Sequence, residues 1–101
     1  ENSDPSWFGF LLTCREGVEK NTVVQYLEKE GVQTRMLFGG NMLKQPCFSE
    51  LKKSGEGYRV IGDLPVTDQI MTDTFWIGVY PGMTDEMIDY MIRKIKEAVE
   101  Q

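Results

Sequence analysis

The residues best suited to bind a charged ligand lie in one segment, residues 34–48. Arg35 lies there within an apolar run, and a Gly-Gly-Asn break and Lys44 follow it. Arginine binds a carboxylate or phosphate through two parallel hydrogen bonds, and glycines let backbone approach a ligand closely. Two interpretations stay open: a ligand site, or an Arg35 that pairs with a surface glutamate beside glycines that only turn the chain.

The residues of the common catalytic centres are missing. The 101 residues include no histidine, so neither a Ser-His-Asp nor a Cys-His arrangement can form within the chain. A phosphate-binding GxxxxGK(S/T) sequence is also missing. Asp63, Asp68 and Asp73 are five residues apart, a spacing that spreads them around a helix instead of pairing them. The sequence therefore predicts a binding surface and no catalytic residue.

The charge balance argues against nucleic acid and membrane as partners. The chain has 11 Lys and Arg against 16 Asp and Glu, a formal net charge of −5, whereas phosphate-rich partners require clustered cations. No apolar stretch reaches the roughly 20 residues that span a bilayer. We interpret the basic residues of two predicted helices as solvated surface charge; they are Lys52, Lys53, Arg93, Lys94 and Lys96.

The two cysteines, Cys14 and Cys47, are too few for a structural zinc, which takes four ligands. Cys14 ends an apolar run and is predicted to be a small buried side chain. A disulfide between the two stays open. Sparse cysteines favour a reducing, cytoplasmic setting.

Three apolar runs have the length of β-strands. Residues 7–14 form a continuous, aromatic-rich run, which predicts a strand buried on both faces. Residues 32–38 and 74–80 are the other two strands. Residues 58–61 are either a short strand or a lead-in to a helix, and one helical turn is predicted near residues 48–53.

Capping residues indicate where three helices begin. Asn21 is the predicted N-cap of a helix over residues 22–30, which Gly31 ends. Proline marks the first turn of a second helix over about residues 63–73. Thr84 caps the last helix, whose apolar positions predict one buried face; they are Ile88, Met91, Ile92, Ile95 and Val99.

These elements alternate along the chain, which predicts a small sheet with helices packed on it, a two-layer α/β sandwich. The polar residues 1–6 are predicted to be a linker, and residues 7–101 a single compact domain. The chain begins at Glu1 without a methionine. We therefore expect it to be a piece of a larger protein.

Two segments resemble one enzyme superfamily. Residues 31–38, GVQTRMLF, followed by residues 45–48, QPCF, are similar to the G-I-x-T-R…F…Q-P-x-F segment of the DegT/DnrJ/EryC1/StrS nucleotide-sugar aminotransferases and their dehydratase relatives. Residues 76–86 resemble the superfamily's L-P-x-Y-P-x-L-T-x-E-E tail. Three stretches resemble its CDP-4-dehydro-6-deoxyglucose 3-dehydratase branch, whose members make 3,6-dideoxyhexoses for lipopolysaccharide O-antigens; they are residues 38–41, 44–46 and 73–79.

The resemblance implies a fold and a cofactor chemistry. The family has the scaffold of fold-type I pyridoxal-phosphate transferases, with a large cofactor domain and a small C-terminal α/β domain whose sheet is mostly antiparallel. This chain matches only the small domain. In the dehydratase branch the cofactor is pyridoxamine phosphate, a histidine replaces the usual Schiff-base lysine, and a 2Fe–2S cluster takes electrons from a reductase.

These sites lie upstream in the family, so the resemblance implies that this chain binds no cofactor or metal. Cys14 and Cys47 are accordingly not expected to be cluster ligands. The resemblance also implies a parent protein that is a homodimer through its large domains.

By the same similarity, Arg35, Phe38, Asn41 and Lys44 line the substrate cleft and contact the sugar nucleotide. Two cations and an amide suit a diphosphate, because the hydrogen bonds are charge-assisted. Aminotransferases of the family often carry a histidine soon after the strand, where this chain reads Gly-Gly-Asn. That difference favours the dehydratase branch.

The leading hypothesis is therefore one domain of a sugar dehydratase, inactive by itself. A domain of a pyridoxal-phosphate-dependent nucleotide-sugar aminotransferase is the first alternative, and a stand-alone α/β binding module is the second. The coding sequence upstream of Glu1 separates a domain from a module. Histidine or lysine at the cofactor position separates a dehydratase from an aminotransferase.

Overall fold

A computed structural model describes residues 2–100 of the chain. It contains three strands and four α-helices, with two short 3-10 turns at Met42–Lys44 and Pro46–Phe48. In chain order the elements are β1 (Gly9–Thr13), α1 (Lys20–Lys29), β2 (Thr34–Met36), α2 (Ser49–Ser54), α3 (Pro65–Asp73), β3 (Thr74–Gly78) and α4 (Asp85–Val99).

The three strands form one sheet in the order β1-β3-β2, and both pairings are antiparallel. The last strand in sequence is therefore the central one. Trp76 lies at its middle, opposite Leu11 on β1 and Arg35 on β2. A 2.9 Å hydrogen bond between the Thr13 and Thr74 hydroxyl groups closes one end of the β1–β3 pair.

Helices cover only one face of this sheet. Successive side chains of a strand point to opposite faces, so Phe75 and Ile77 face α1 and α4 while Trp76 faces away from them. The buried core lies between these layers and consists of Val23, Leu27, Val32, Phe75, Ile77 and Ala98. The predicted two-layer α/β fold with an antiparallel sheet is confirmed.

Strand β1 differs from its predicted environment. The sequence predicted a strand buried on both faces, but Phe10 is 52% and Leu11 53% exposed. The prediction was wrong because β1 is an edge strand of a sheet that carries helices on one face only. Phe10 and Leu11 of β1 are thus exposed apolar side chains and are not buried in the core.

Helix α1 begins earlier than predicted. Its N-cap is Glu19, whose carboxylate accepts a hydrogen bond from the backbone amide of Asn21. The prediction of Asn21 as the cap was wrong, because a carboxylate two residues before it already binds that amide. The predicted stop is confirmed, since Gly31 has a left-handed backbone with φ of +80°.

Helix α4 begins as predicted, with the Thr84 hydroxyl accepting a hydrogen bond from the amide of Met87. Its predicted single buried face is only partly right. The side toward the core contains Met91, Ile95 and Ala98, whereas an adjacent apolar stripe stays exposed. The stripe consists of Ile88, Ile92 and Val99, which are 40–45% exposed.

Lys94 of α4 is not the solvated surface charge that the sequence predicted. Its side chain is only 16% exposed, and its ammonium lies 2.8 Å from carboxylate oxygens of both Glu30 and Glu97. These contacts raise the pKa of Lys94, with the hydrogen bond to Glu30 as the larger cause. Tyr26 of α1 donates to the same Glu97 carboxylate at 2.6 Å. The network joins the two long helices at their shared edge.

Helix α3 begins at a proline, as predicted. Residues 58–61 form no regular element. Both cysteines are free thiols, and Cys14 is only partly buried, whereas the sequence predicted a buried side chain. Within residues 2–100, no helix is long and apolar enough to cross a bilayer.

Replacement of Leu27 by alanine tests the core. Leu27 is 0% exposed, so Leu27→Ala is expected to lower the free energy of unfolding by about 2–5 kcal/mol, measured by urea denaturation. The matched control is Leu51→Ala, since Leu51 is 41% exposed. Equal losses in both variants would contradict this assignment of the core.

Candidate functional site

Arg35 lies on the uncovered face of the sheet. Its guanidinium donates one hydrogen bond, to the backbone oxygen of Thr34 at 2.8 Å. Within residues 2–100 no carboxylate lies within ion-pair distance of it. Arg35 therefore makes no ion pair with a glutamate in the described part of the chain. The nearby Glu28 carboxyl group has a lowered pKa, chiefly through hydrogen bonds from Thr34 and to a lesser extent through the Arg35 charge.

Phe38 follows the end of β2, which is shorter than predicted. The strand ends at Met36 because the amide of Phe38 donates to the Met36 carbonyl oxygen at 2.8 Å, which turns the chain. Phe38 has a left-handed backbone with φ of +50°, which costs a residue with a side chain roughly 1–2 kcal/mol. Its ring is 80% exposed and lies 6.0 Å from the Trp76 ring.

Asn41 and Lys44 lie together at a different point, where both bind Asp68 of α3. The Asn41 amide nitrogen donates to Asp68 Oδ1 at 2.7 Å, and its amide oxygen accepts from the Leu43 amide at 3.0 Å. The Lys44 ammonium lies 2.9 Å from the same Asp68 oxygen. These hydrogen bonds, Asn41's first and Lys44's second, hold the pKa of Asp68 below its ordinary value.

The glycine pair that precedes Asn41 fits the loop closely against α3. Gly40 has φ of +62°, and a Cβ there would lie 2.6 Å from Cγ of Met71. The close approach that glycine permits is thus made to a methionine of the same chain. Asn41 is 4% exposed as a result, whereas the Lys44 side chain is 54% exposed.

The four predicted residues therefore form two pairs. Arg35 and Phe38 flank Trp76 on the open sheet face, and Asn41 and Lys44 converge on Asp68. Sequence reasoning missed Trp76 at the centre of the first pair. The alternation of side chains along residues 74–78 could have indicated it, since Phe75 and Ile77 on one face leave Trp76 on the other.

Phe8 is the second residue that sequence reasoning missed. Its ring centroid lies 4.8 Å from that of Trp76, with the planes 42° apart.

In residues 2–100 no three His, Cys, Asp or Glu side chains gather as metal ligands, and no buried polar side-chain atom lacks a hydrogen-bond partner. The open face is thus an aromatic surface beside one arginine.

Comparison with known proteins gives the family. A sequence profile of the DegT/DnrJ/EryC1/StrS aminotransferase family matches residues 1–96. The chain belongs to this family. The predicted family is confirmed, and the match covers nearly the whole chain.

Relatives within the DegT/DnrJ/EryC1/StrS family include two curated bacterial proteins. The chain is 48% identical over 99 residues to the lipopolysaccharide biosynthesis protein RfbH of Salmonella typhimurium, covering 96% of this chain and 22% of RfbH. It is 43% identical over 100 residues to the dTDP-4-dehydro-2,6-dideoxy-D-glucose 3-dehydratase of Saccharopolyspora spinosa, covering 97% of this chain and 21% of the dehydratase. The chain therefore spans about a fifth of the length of these relatives.

A solved structure supports the fold. The GDP-4-keto-6-deoxy-D-mannose-3-dehydratase of E. coli, with bound hydrated PLP, superposes with a TM-score of 0.73 and 22% identity. The superposition covers 86% of this chain and 22% of that one. At this identity the likeness shows a shared fold.

The Asp68 contacts predict how its carboxyl group titrates. Asn41→Ala removes the hydrogen bond that stabilises ionised Asp68 most, so the pKa of Asp68 is expected to rise toward its ordinary 3.8. Folding lowers the pKa of Asp68. The stability that the contact contributes is therefore fully present at pH values above the pKa of the unfolded state, and it is lost as the pH falls through the pKa of the folded state. NMR titration of the Asp68 carboxyl carbon measures the shift. Gln25→Ala, which removes an exposed amide from α1, is the control, and equal pKa values in wild type and Asn41→Ala would contradict the assignment.

Proposed function

We propose that this chain is one domain of a longer nucleotide-sugar 3-dehydratase that removes the C3 hydroxyl group of a CDP-4-dehydro-6-deoxyglucose-type substrate. The reaction would serve 3,6-dideoxyhexose and O-antigen synthesis. The observation that carries the proposal is the 43–48% identity over nearly the whole chain to two proteins, one named a lipopolysaccharide biosynthesis protein and one a sugar 3-dehydratase. The isolated chain is proposed to be inactive.

The cofactor groups are proposed to lie in the rest of the longer protein. Pyridoxamine or pyridoxal phosphate would supply the electron sink for loss of the hydroxyl group, and a 2Fe–2S cluster would supply electrons received from a reductase. The described residues do not fit either group, because no set of three potential metal ligands and no unpartnered buried polar atom occurs among residues 2–100. We propose that the parent protein is a cytoplasmic homodimer.

The part of the reaction proposed for this chain is to bind and orient the nucleotide sugar. Arg35 is an exposed residue on the open face, and a guanidinium binds a diphosphate through paired charge-assisted hydrogen bonds. Phe38 presents an exposed ring beside it. Lys44 is exposed enough to add a second cation, while Asn41 holds the loop that carries Lys44.

The exposed stripe of α4 supports a role as one domain of a longer protein. Ile88 and Ile92 line one concave region together with Phe10 of β1, and these three side chains are 40–52% exposed. Contiguous apolar surface of this kind is typically covered by a partner surface. The relatives are roughly five times as long as the matched segment, so the remainder of the same protein is the proposed cover.

Arg35→Ala in the full-length protein tests the binding role. The variant is expected to raise KM for the nucleotide sugar by about tenfold or more, since a charge-assisted contact to phosphate is lost. Ile61→Ala is the control, because Ile61 is 74% exposed and belongs neither to the candidate site nor to the apolar surface that is proposed to be covered. The rate at which the C3 hydroxyl group is lost is measured by product analysis, and variants of matched stability are compared. Equal changes in KM would mean that Arg35 is only structural.

Calorimetry on the isolated chain tests the one-domain proposal. Titration of CDP-sugar into residues 1–101 is expected to give no micromolar binding, because the other wall of the cleft is missing. Micromolar affinity in this experiment would instead favour a stand-alone binding module.

A further inference from the structure

The side chain at the centre of the open sheet face is held in a fixed orientation. A Cβ on Gly9 would lie 1.9 Å from Cε3 of Trp76, so the indole rests over the backbone of β1 where only glycine leaves room. At its other edge, the indole nitrogen donates to the Met36 carbonyl oxygen at 3.2 Å. Trp76 is therefore held between Gly9 of β1 and Met36 of β2. An indole that is fixed at both edges provides a surface for stacking at a low cost in side-chain entropy.

Two further rings flank this indole and are mostly exposed. Phe8 is 78% and Phe38 80% exposed, although both lie within aromatic contact distance of Trp76. Two large rings left in water at one point of a small surface mark a contact site. We call Phe8, Trp76 and Phe38 the aromatic platform.

A cation lies directly beside the aromatic platform. Arg35 is the cross-strand neighbour of Trp76, and the Cβ atoms at such positions lie about 5 Å apart. A concave region of about 280 Å³ lies between them. It is lined by Phe8, Gln33, Arg35, Trp76, Val79 and Tyr80.

The combination suits a ligand that carries both a flat ring and negative charge. An apolar protein segment over this face would bury the guanidinium without a partner, which is costly, whereas a nucleoside diphosphate brings a flat ring and adjacent negative charge together. Base–aromatic stacking is favourable for every base, because each has a π-face. In a nucleotide sugar the base is the one flat aromatic part.

We propose that the aromatic platform stacks against the nucleobase of the nucleotide sugar while Arg35 binds the adjacent diphosphate. The proposal rests on the proposed function and deepens it, because it assigns the base to Phe8, Trp76 and Phe38. Substrate recognition by this domain is then separable into a base contact and a phosphate contact.

Binding of two probes to the full-length protein tests this separation. Calorimetry measures the dissociation constants of CDP, which has a base, and of inorganic pyrophosphate, which has none. Trp76→Leu and Phe8→Leu are expected to weaken CDP binding about tenfold and to leave pyrophosphate within twofold. Arg35→Ala is expected to weaken both. Ile61→Ala, which removes an exposed apolar side chain outside the aromatic platform, is the control and is expected to change neither.

The outcomes distinguish the proposals. The exposed ring of Phe8 can be replaced without disturbing the core, so unchanged CDP affinity in Phe8→Leu would overturn the proposed base contact. Equal weakening of CDP and pyrophosphate binding would overturn it as well. Altered affinity for pyridoxal phosphate in Phe8→Leu, with CDP unaffected, would assign the platform to the cofactor and overturn it too. A wild-type protein that binds none of CDP, dTDP, GDP and UDP would contradict the proposed function itself.

Discussion

The pairing of β3 between β1 and β2 is the constraint on which the rest of the structure depends. A central strand with helices on one side only must alternate between two environments, and residues 75–77 do so: Phe75 and Ile77 are buried, and Trp76 faces outward. The same pairing brings Arg35 and Gly9 to the outward face beside Trp76. The core and the candidate site therefore lie on opposite faces of β3.

Much of the fold could be predicted from local sequence. Thr84 as a cap, Gly31 as a stop and the strand at residues 74–78 depend on short-range chemistry that the sequence displays directly. The environment of an element could not be predicted in the same way. The apolar run of β1 and the stripe of α4 resemble buried segments, and they are exposed because a domain this small covers only one face of its sheet.

The contacts of the candidate residues could not be predicted from the sequence. The superfamily resemblance gave Arg35, Phe38, Asn41 and Lys44 as candidates, and the chemistry of two cations and an amide agrees with anion binding. However, Asp68, the partner of Asn41 and Lys44, lies more than twenty residues further along the chain. Lys94 differs from the predicted solvated charge for the same reason, since one of its carboxylate partners, Glu30, is the C-cap residue of α1. Within residues 2–100, Lys44 and Lys94 each lie within ion-pair distance of a carboxylate, and Arg35 does not.

Hydrogen–deuterium exchange on the full-length protein tests the central claim, that the uncovered sheet face is the ligand side of this domain. Exchange would be followed by mass spectrometry with and without saturating nucleotide sugar. The account predicts slower exchange in peptides over residues 7–9 and 37–45, with α4 unchanged. Slowing confined to α4, or slowing elsewhere in the protein with none in those two segments, would contradict it.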